Sequence, residues 1–369
     1  MGNKSSPSPR PRLVIIGGSF AGMEAYKALH KFFDIKVIDA KDFFEETPAM
    51  HYFYTGQIPH EKLSVPYEHS IIKDSFIHGK AIELQSDAVI IQTIDGFKTI
   101  EFDFCLIATG ATYPSDMKPN FELKTLDDHR IKIKAIQETV LNATSVLVRG
   151  AGVVGVEVAT ELATRGKNVV LACHGGQILP RFAPKVQRRA RPCLDAAGVK
   201  IVDSDNTLLS TEDFDLVYDC TGNIFPTEDN ILNKNFPEYR DEKGRVRVNE
   251  FFQICAEDYK PIEHIFALGD CCITIANEEK NIPNLQKAAK VVSHNLKELA
   301  TKGKNGRLRF KRFPKLRSKI GVLALISLGR KSLLVYGRLT IRGEFLTRVK
   351  KGYGPKTVRE FTLKEKRVK

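Results

Sequence analysis

The chain has 369 residues, of which 42% are hydrophobic and 27% charged, and its formal net charge is +13. This length predicts two or three domains with a substantial core, and the composition is ordinary for a globular protein. No stretch approaches the roughly 20 apolar residues that cross a bilayer. Seven cysteines without a C-x-x-C pair argue against a disulfide framework and favour a reducing compartment.

The chain begins with "MGNKSSPSPRPR", in which prolines at positions 7, 9 and 11 exclude a helix. Residues 1–11 are therefore predicted to form a disordered tail. The start also fits the N-myristoylation pattern M-G-x-x-x-[ST], with Gly2 as the acceptor and Ser6 as the hydroxyl residue. A chance match within a disordered tail is the alternative interpretation.

The first predicted β-α-β unit has a strand at residues 13–16, a glycine-rich turn, a helix at 23–33 and a strand at 35–38. Such a junction directs backbone N–H groups and the positive end of a helix toward a pyrophosphate. The turn departs from the dinucleotide-binding pattern G-x-G-x-x-G where Ser19 replaces the second glycine. Because serine is small and its hydroxyl can donate to a phosphate oxygen, we expect Ser19 to be tolerated.

An acidic residue, Asp39, closes the second strand of this unit, about 20 residues after the turn, where a carboxylate accepts hydrogen bonds from ribose hydroxyls. An ordinary surface turn residue is the alternative interpretation of Asp39. The predicted nucleotide-binding residues of this unit occupy the turn and the strand end: Gly17, Gly18, Ser19, Phe20, Ala21, Gly22, Asp39 and Lys41.

The second predicted β-α-β unit has a strand at 146–148, the turn "GAGVVG", a helix and a strand at 168–172. Its second strand ends at Cys173 and His174 rather than at an acid, so nothing there repels a 2′-phosphate, and NADH and NADPH both remain open. His174 and the nearby Arg181 could attract such a phosphate, and the alternative is that these two residues simply face solvent. The predicted nucleotide-binding residues of this unit are Gly150, Gly152, Val153, Val154, Gly155, Cys173 and His174.

Further motifs follow in a fixed order: "ATG" at 108–110, the second turn followed by Glu157, "ALGD" ending at Asp270, and a helix after Pro283. This order resembles the two-dinucleotide-binding-domain flavoproteins. Within them it is most similar to the apoptosis-inducing-factor-like group, which includes the ferroptosis-suppressor proteins and is related to the type II NADH dehydrogenases. The resemblance covers roughly residues 12–345.

The resemblance implies an α/β fold with two Rossmann-like domains, one inserted in the other. An FAD-binding domain would be split between residues 12–113 and 252–300, and an NAD(P)H-binding domain would occupy residues 114–251. Residues 301–369 would form a basic C-terminal segment that binds a membrane or a partner. The family also carries functional lysines near its C-terminus, and a loose alignment places Phe345 opposite one of them, so we do not transfer that role.

The resemblance also implies site residues. Asp270 would hold the ribityl hydroxyls of the flavin, with an N-cap of a following helix as the alternative. Glu157 would act as a catalytic residue near the nicotinamide or the electron acceptor, or else complement the helix dipole from the first turn. Lys287 would stabilise the reduced flavin, or be an ordinary solvated lysine. The further cofactor-binding positions are Ala81, Ala108, Thr109, Gly110, Gly222, Gly269 and Gln286.

The implied reaction passes a hydride from NADH or NADPH to FAD, and electrons from FAD to an acceptor. A disulfide acceptor needs cysteines soon after the first unit, and residues 42–56 contain none. No metal-ligand cluster is visible among the nine histidines and seven cysteines. These absences leave a small diffusible acceptor, and the resemblance implies that it is a quinone. A nucleic-acid-binding apoptosis-inducing-factor-like flavoprotein, and a soluble reductase of ferredoxin or monodehydroascorbate, are the alternatives.

The positive charge is confined to one end of the chain. Residues 301–369 contain 22 basic and three acidic residues, whereas residues 1–300 contain 35 basic and 41 acidic residues. Such a segment predicts an anionic partner, either membrane headgroups or nucleic acid. Together with an acyl chain on Gly2 it would supply the two signals that stable membrane attachment requires. The sequence thus predicts a cytoplasmic, peripherally membrane-associated protein.

Overall fold

The computed structural model describes residues 9–115, 118–258, 260–274, 280–302, 308–313, 323–337 and 339–363. The chain divides into two compact units, each discontinuous in sequence. The first comprises residues 1–41, 72–110 and 225–315, and the second comprises residues 42–71, 111–224 and 316–369. These bounds differ from the predicted domains, because residues 42–71 belong to the second unit and residues 225–251 to the first. Gly2 lies outside the described residues.

The strands, in chain order, are β1 (Arg12–Ile16), β2 (Asp34–Asp39), β3 (Phe43–Glu45), β4 (Ser64–Pro66), β5 (Phe76–His78), β6 (Lys80–Leu84), β7 (Ala88–Thr93), β8 (Gly96–Glu101), β9 (Phe104–Ile107), β10 (Ser145–Arg149), β11 (Asn168–Cys173), β12 (Lys200–Asp203), β13 (Leu216–Asp219), β14 (Val246–Val248), β15 (Gln253–Cys255), β16 (Pro261–Ala267), β17 (Cys272–Thr274), β18 (Leu323–Leu328), β19 (Lys331–Tyr336) and β20 (Leu339–Gly343). The helices are α1 (Phe20–Leu29), α2 (Met50–Tyr54), α3 (Leu126–Asn142), α4 (Val153–Ala163), α5 (Pro184–Ala197), α6 (Ile282–Lys302) and α7 (Glu344–Phe361).

An eight-stranded sheet forms the core of the first unit, in the order β17-β14-β15-β16-β9-β1-β2-β5. The strands from β16 to β5 run parallel to one another. Strand β1 lies inside this parallel part, and its residues Leu13, Val14, Ile15 and Ile16 are at most 2% exposed. A central parallel strand is covered on both faces, which is why it reads as a continuous apolar run. A separate sheet, β6-β7-β8, belongs to the same unit.

The predicted β1-α1-β2 arrangement is confirmed with shifted helix ends. Helix α1 begins at Phe20, three residues before the predicted start, because Ser19 is its N-cap and the turn before it is short. The helix ends at Leu29 instead of Phe33, and His30 forms the C-cap. The predicted helix after Pro283 is also confirmed, and it begins at Ile282.

The second unit is built around a four-stranded parallel sheet in the order β12-β11-β10-β13. The predicted β10-α4-β11 arrangement is confirmed, and helix α4 begins at Val153, directly after the second glycine turn. Helix α4 packs on β10 and β11. Nine of its eleven residues are buried, two of them glutamates, so other elements enclose this helix on nearly all sides.

Within the basic C-terminal segment, residues 323–337 and 339–363 are folded into this second unit. Strands β18, β19 and β20 form an antiparallel sheet, with β18 against α4 and α7 against β19. Buried side chains at Ile326, Leu328, Leu333 and Val335 hold it in place. Among the described residues, none of the helices combines the length and apolar character that crossing a bilayer requires.

Candidate functional site

The first glycine turn lies between β1 and α1. Gly17 has φ of +110°, and a Cβ there would come within 2.3 Å of the Ala108 carbonyl oxygen. A Cβ at Gly22 would lie 1.9 Å from the carbonyl oxygen of Gly17. Ser19, by contrast, has φ of −80° and ψ of −158°, which any L-residue can adopt, and its side chain makes no cap hydrogen bond. The serine therefore causes no backbone strain, as expected.

Asp39 lies against this turn at the end of β2. Its Oδ2 accepts hydrogen bonds from the Gly18 backbone N–H (2.7 Å) and from Lys41 Nζ (2.8 Å). The structure thus brings together three of the predicted nucleotide-binding residues. Gly79 N donates to the Asp39 carbonyl oxygen, so β6, which carries Ala81, starts at this same end of the strand.

The other predicted residues of the first unit follow the ends of two parallel strands. Ala108, Thr109 and Gly110 follow β9, and the Ala108 carbonyl contacts the first turn as described above. Gly269 follows β16 with φ of +93°, and its position is so close to α1 that a Cβ would lie 3.2 Å from Ala21 Cβ. The chain after Asp270 enters β17 and not a helix, so the N-cap alternative for Asp270 is wrong.

Helix α6 carries the two remaining predicted residues of this unit. Gln286 is partly buried, whereas Lys287 is exposed. Exposure is what the solvated-lysine alternative predicted, and a catalytic role of Lys287 stays a prediction.

In the second glycine turn, close backbone contacts require glycine at two positions but not at the third. A Cβ at Gly150 would lie 2.7 Å from the Cys220 carbonyl oxygen, and one at Gly155 would lie 1.8 Å from the Gly150 carbonyl oxygen. Gly152 has φ of −67°, and a Cβ there would meet no atom of the described chain within 4 Å. Gly152 is the N-cap of α4, where glycine is favoured, and the open space beside it leaves room for an approaching ligand. The turn at the N-terminus of α4 therefore fits a dinucleotide pyrophosphate.

A sequence repeat at residues 102–110 and 214–222 supports the same conclusion. Residues 102–110 and 214–222 both read F-D-x₅-T-G. In each copy the aspartate accepts a hydrogen bond from the start of the neighbouring glycine-turn strand: Asp103 from Arg12 N at 2.7 Å and Asp215 from Ser145 N at 2.8 Å. The end of each copy packs on the first glycine of a turn. Gly222 ends the second copy and therefore occupies the position that Gly110 occupies in the first copy.

The end of β11 carries acidic groups that the sequence analysis missed. Strand β12 is parallel to β11 with Asp203 in register with Cys173, and Asp203 Oδ1 accepts from Gly175 N at 2.8 Å. Asp205 Oδ1 lies 2.6 Å from His174 Nδ1, and this contact raises the pKa of His174. Cys173 is buried, which raises the pKa of its thiol. Strand β11 itself ends at Cys173 without an acid, as predicted, but β12 and the residues after it bring two carboxylates beside this end, so the inference that nothing there repels a 2′-phosphate is wrong.

Glu157 lies in a buried polar cluster. It is the fifth residue of α4, beyond the first turn, so the helix-dipole alternative is wrong. Its Oε1 accepts from the Ser327 backbone N–H at 2.8 Å and pairs with Lys350 Nζ. Burial raises the pKa of Glu157, although Lys350 acts in the opposite direction. Ser327 Oγ also donates to Glu161 Oε1 at 2.7 Å.

Lys350 is the residue that the sequence analysis missed at this cluster. The loose alignment considered Phe345, which is 60% exposed on α7. Lys350 lies on the inner side of the same helix, and its side chain is 14% exposed. Helical periodicity could have identified it, because Leu346 and Lys350 are four residues apart and share the face of α7 that is turned inward.

Comparisons with known proteins agree with this geometry. A family described as pyridine nucleotide-disulphide oxidoreductase matches residues 11–291. Ferroptosis suppressor protein 1 of Xenopus tropicalis is 28% identical over 300 residues, 73% of this chain and 76% of that protein. Demethylphylloquinone reductase NdbB of Synechocystis is 24% identical over 297 residues, 71% of this chain and 72% of that protein.

Solved structures share the fold. The sulfide:quinone oxidoreductase of Aquifex aeolicus superposes with a TM-score of 0.72 at 16% identity, covering 95% of this chain and 91% of that one. NDH2 of Plasmodium falciparum, solved with NADH, gives a TM-score of 0.62 at 13% identity, covering 93% and 94% of the two chains. This chain therefore belongs to the pyridine nucleotide-disulphide oxidoreductase family and is an NAD(P)H-dependent flavoprotein oxidoreductase that uses FAD.

Proposed function

We propose that this enzyme takes a hydride from NADH and delivers the electrons to a quinone at a membrane surface. The observation that carries the proposal is the pair of glycine turns, each of which joins a parallel strand to the N-terminus of a helix, with open space at Gly152 in the second turn. When bound, FAD supplies a ring that accepts a hydride and releases electrons to an acceptor. Two relatives carry quinone names, which favours a quinone as the acceptor here.

In the first unit the residues fit FAD. The N–H groups at the start of α1 would hold the pyrophosphate, and Asp39 would hold the adenosine ribose, since one of its oxygens already faces the turn. Asp270 would hold the ribityl chain. The start of α6, with Gln286, would place the positive end of a helix toward negative charge on the reduced ring.

In the second unit the residues fit the nicotinamide nucleotide. The turn from Gly150 to Gly155 would hold its pyrophosphate, and His174 would lie beside its adenosine ribose. We propose that Glu157 is a catalytic carboxyl beside the nicotinamide. Its raised pKa lets it keep a proton at a higher pH than an ordinary glutamate, and Lys350 limits the negative charge that remains.

A quinone fits the chain better than a disulfide does. Residues 42–56, where a redox cysteine pair would stand, contain no cysteine. Six of the seven cysteines are buried, and burial raises the pKa of Cys105 and Cys220 far from the range of a reactive thiolate. A hydrogen bond with Cys272 lowers the pKa of Cys271 to about 7, but both of these cysteines are buried.

The proposal is tested with purified, FAD-loaded protein under anaerobic conditions. NADH should bleach the flavin, and a soluble quinone should restore its colour in a stoichiometric reaction. Restoration by a disulfide and not by a quinone would overturn the quinone assignment. A protein that NADH does not bleach would overturn the reaction as a whole.

The enzyme is expected to prefer NADH to NADPH. The carboxylates of Asp203 and Asp205 lie at the strand end where the adenosine ribose would bind, and a 2′-phosphate adds nearly two negative charges there. Asp205→Asn keeps the shape and should raise the relative kcat/KM for NADPH about five- to tenfold, since each exposed charge contact contributes about 1 kcal/mol. Binding of ADP-ribose and its 2′-phosphate, measured calorimetrically, gives a second readout. Asp195→Asn, at an exposed residue of α5, is the matched control. If the ratio of kcat/KM for NADH to kcat/KM for NADPH is unchanged in Asp205→Asn, the prediction is contradicted.

An exposed stripe on α7 supports attachment to a membrane surface. Phe345, Val349 and Tyr353 are four residues apart on one face and are 60%, 56% and 41% exposed. The exposed cations Arg348 and Lys356 flank them on the same face. An apolar stripe bordered by lysine and arginine is typical of a helix that lies in the headgroup region of an anionic bilayer.

Serine at all three stripe positions should weaken binding to anionic vesicles at least tenfold, because each partly buried apolar side chain contributes on the order of 1 kcal/mol or more. Flotation with vesicles of phosphatidylserine and phosphatidylcholine measures the change. Phe97→Ser is the control, because Phe97 is 70% exposed on the β7-β8 hairpin of the first unit. Equal flotation of the triple variant and wild type would refute the stripe, and tighter binding to duplex DNA than to vesicles would favour the nucleic-acid alternative.

A further inference from the structure

Three metal-ligating side chains of the second unit converge outside the proposed cofactor sites. They are Glu45 at the end of β3, His60 in a 3-10 turn at His60–Lys62, and His129 in the first turn of α3. Glu45 Oε2 lies 2.9 Å from His60 Nε2 and 2.6 Å from His129 Nε2. The three atoms all lie within 4.8 Å of one another.

The two imidazole rings contact only one of the two oxygens of the Glu45 carboxylate. Both rings approach the same oxygen of Glu45, while Oε1, which is equally buried, has no hydrogen-bond partner among the described residues. A buried acceptor without a partner is destabilising. A cation at the point of convergence would accept electron pairs from both ring nitrogens and would also satisfy the second carboxylate oxygen.

The surroundings hold the three groups in place. The Glu45, His60 and His129 side chains are 1%, 3% and 5% exposed. The Phe43 ring stacks on His129 with centroids 4.8 Å apart, and Ser64 Oγ lies 3.3 Å from His60 Nδ1. In metal sites, a hydrogen-bonding partner at the ring nitrogen that does not bind the metal orients the imidazole and selects its tautomer, and Ser64 is so placed at His60.

We propose that Glu45, His60 and His129 bind one Zn²⁺ ion, or a related borderline divalent metal, at a structural site. Two imidazole nitrogens and a carboxylate suit zinc, whereas Mg²⁺ and Ca²⁺ prefer all-oxygen ligands. The second oxygen of Glu45 completes the donor set. The ion would tie β3 and the turn before β4 to α3, so its role is in the stability of the second unit. The proposal does not depend on the proposed redox function.

The experiment measures metal in the intact, FAD-loaded protein. The protein is equilibrated with ZnCl₂, separated from unbound metal by gel filtration, and analysed by mass spectrometry, with about one zinc per chain expected. Loading with CoCl₂ should give the visible absorption of four-coordinate Co²⁺. Glu45→Gln keeps the side-chain volume and should lower zinc affinity at least about tenfold, as should His129→Gln. His69→Gln, at an exposed histidine between β4 and β5, should bind zinc as wild type does.

Circular dichroism and flavin content report whether each variant is folded. If the wild type binds no more zinc than Glu45→Gln and His129→Gln do, the zinc is adventitious and the proposal is overturned. If the wild-type protein retains no zinc after loading, the three side chains form a hydrogen-bonded cluster without a metal, and the proposal is overturned. If His129→Gln does not fold, the comparison of wild type with Glu45→Gln decides alone, supported by the cobalt spectrum.

Discussion

Gly22→Ala is expected to yield protein that purifies without FAD. The added Cβ would lie 1.9 Å from the carbonyl oxygen of Gly17 and 3.3 Å from Ile15 Cγ2, so the backbone of the turn must shift to admit it. The backbone displacement should cost about 3 kcal/mol or more. Because the same turn directs the N-terminus of α1 at the pyrophosphate, FAD affinity falls with it. Flavin absorbance of the purified variant, before and after refolding with FAD, measures the loss.

Gly152→Ala is the matched control for that experiment. Its Cβ meets no described atom within 4 Å and its φ is negative, so the protein should fold and retain FAD. The methyl group would instead occupy space that the nicotinamide dinucleotide needs, so KM for NADH should rise while flavin content stays normal. A yellow Gly22→Ala variant with wild-type FAD content would refute the assignment of the first turn.

Lys350→Met is expected to destabilise the protein by about 3–5 kcal/mol at neutral pH. Glu157 and Lys350 are a buried pair, 8% and 14% exposed, and removing one partner leaves the other charge uncompensated. Glu157→Gln with Lys350→Met should recover much of the loss, because no lone charge then remains. Chemical denaturation of the two variants measures this difference, and NADH-driven quinone reduction reports whether Glu157 acts in catalysis.

The loss in Lys350→Met should depend on pH. Burial raises the pKa of Glu157, so its folded form holds a proton more tightly than its unfolded form, and the effect strengthens once the lysine is removed. Stability from such a group is complete below the ordinary carboxyl pKa and is lost as pH rises through the folded pKa. The variant should therefore approach wild type near pH 4 and be weakest at alkaline pH. Lys356→Met, exposed on the same helix, should change stability by less than about 0.5 kcal/mol at any pH; a pH-independent loss in Lys350→Met would contradict the argument.

Most of the structural features that the sequence predicted depend on residues that are close together along the chain. The strand, turn and helix of each β-α-β unit follow from an apolar run, glycine spacing and helix capping, all within about 30 residues. The position of Asp39 beside Gly18 followed from the same local pattern. The repeat F-D-x₅-T-G was present in the sequence as well, and it marks Gly222 without any structure.

The contacts that were missed join residues distant in sequence. Glu157 meets Lys350 across 193 positions, His174 meets Asp205 across 31, and Glu45 meets His129 across 84. The first depends on the packing of α7 beside β18, and the second on the parallel register of β11 and β12. Nothing in one segment specifies the register or packing of another, because these are set by the combined burial of many side chains.

By itself, the sequence determined the two nucleotide turns and the class of fold, because glycine conformation and hydrophobic period act over short distances. The flavoprotein chemistry followed from the resemblance of the motif order to a known family. Only the tertiary structure decided the bounds of the two units, the folded state of residues 323–337 and 339–363, and the partners of Glu157, His174 and Glu45. These depend on which buried faces meet once the chain is compact. A side chain acquires its charge environment only when segments far apart in sequence are brought within a few ångströms of it.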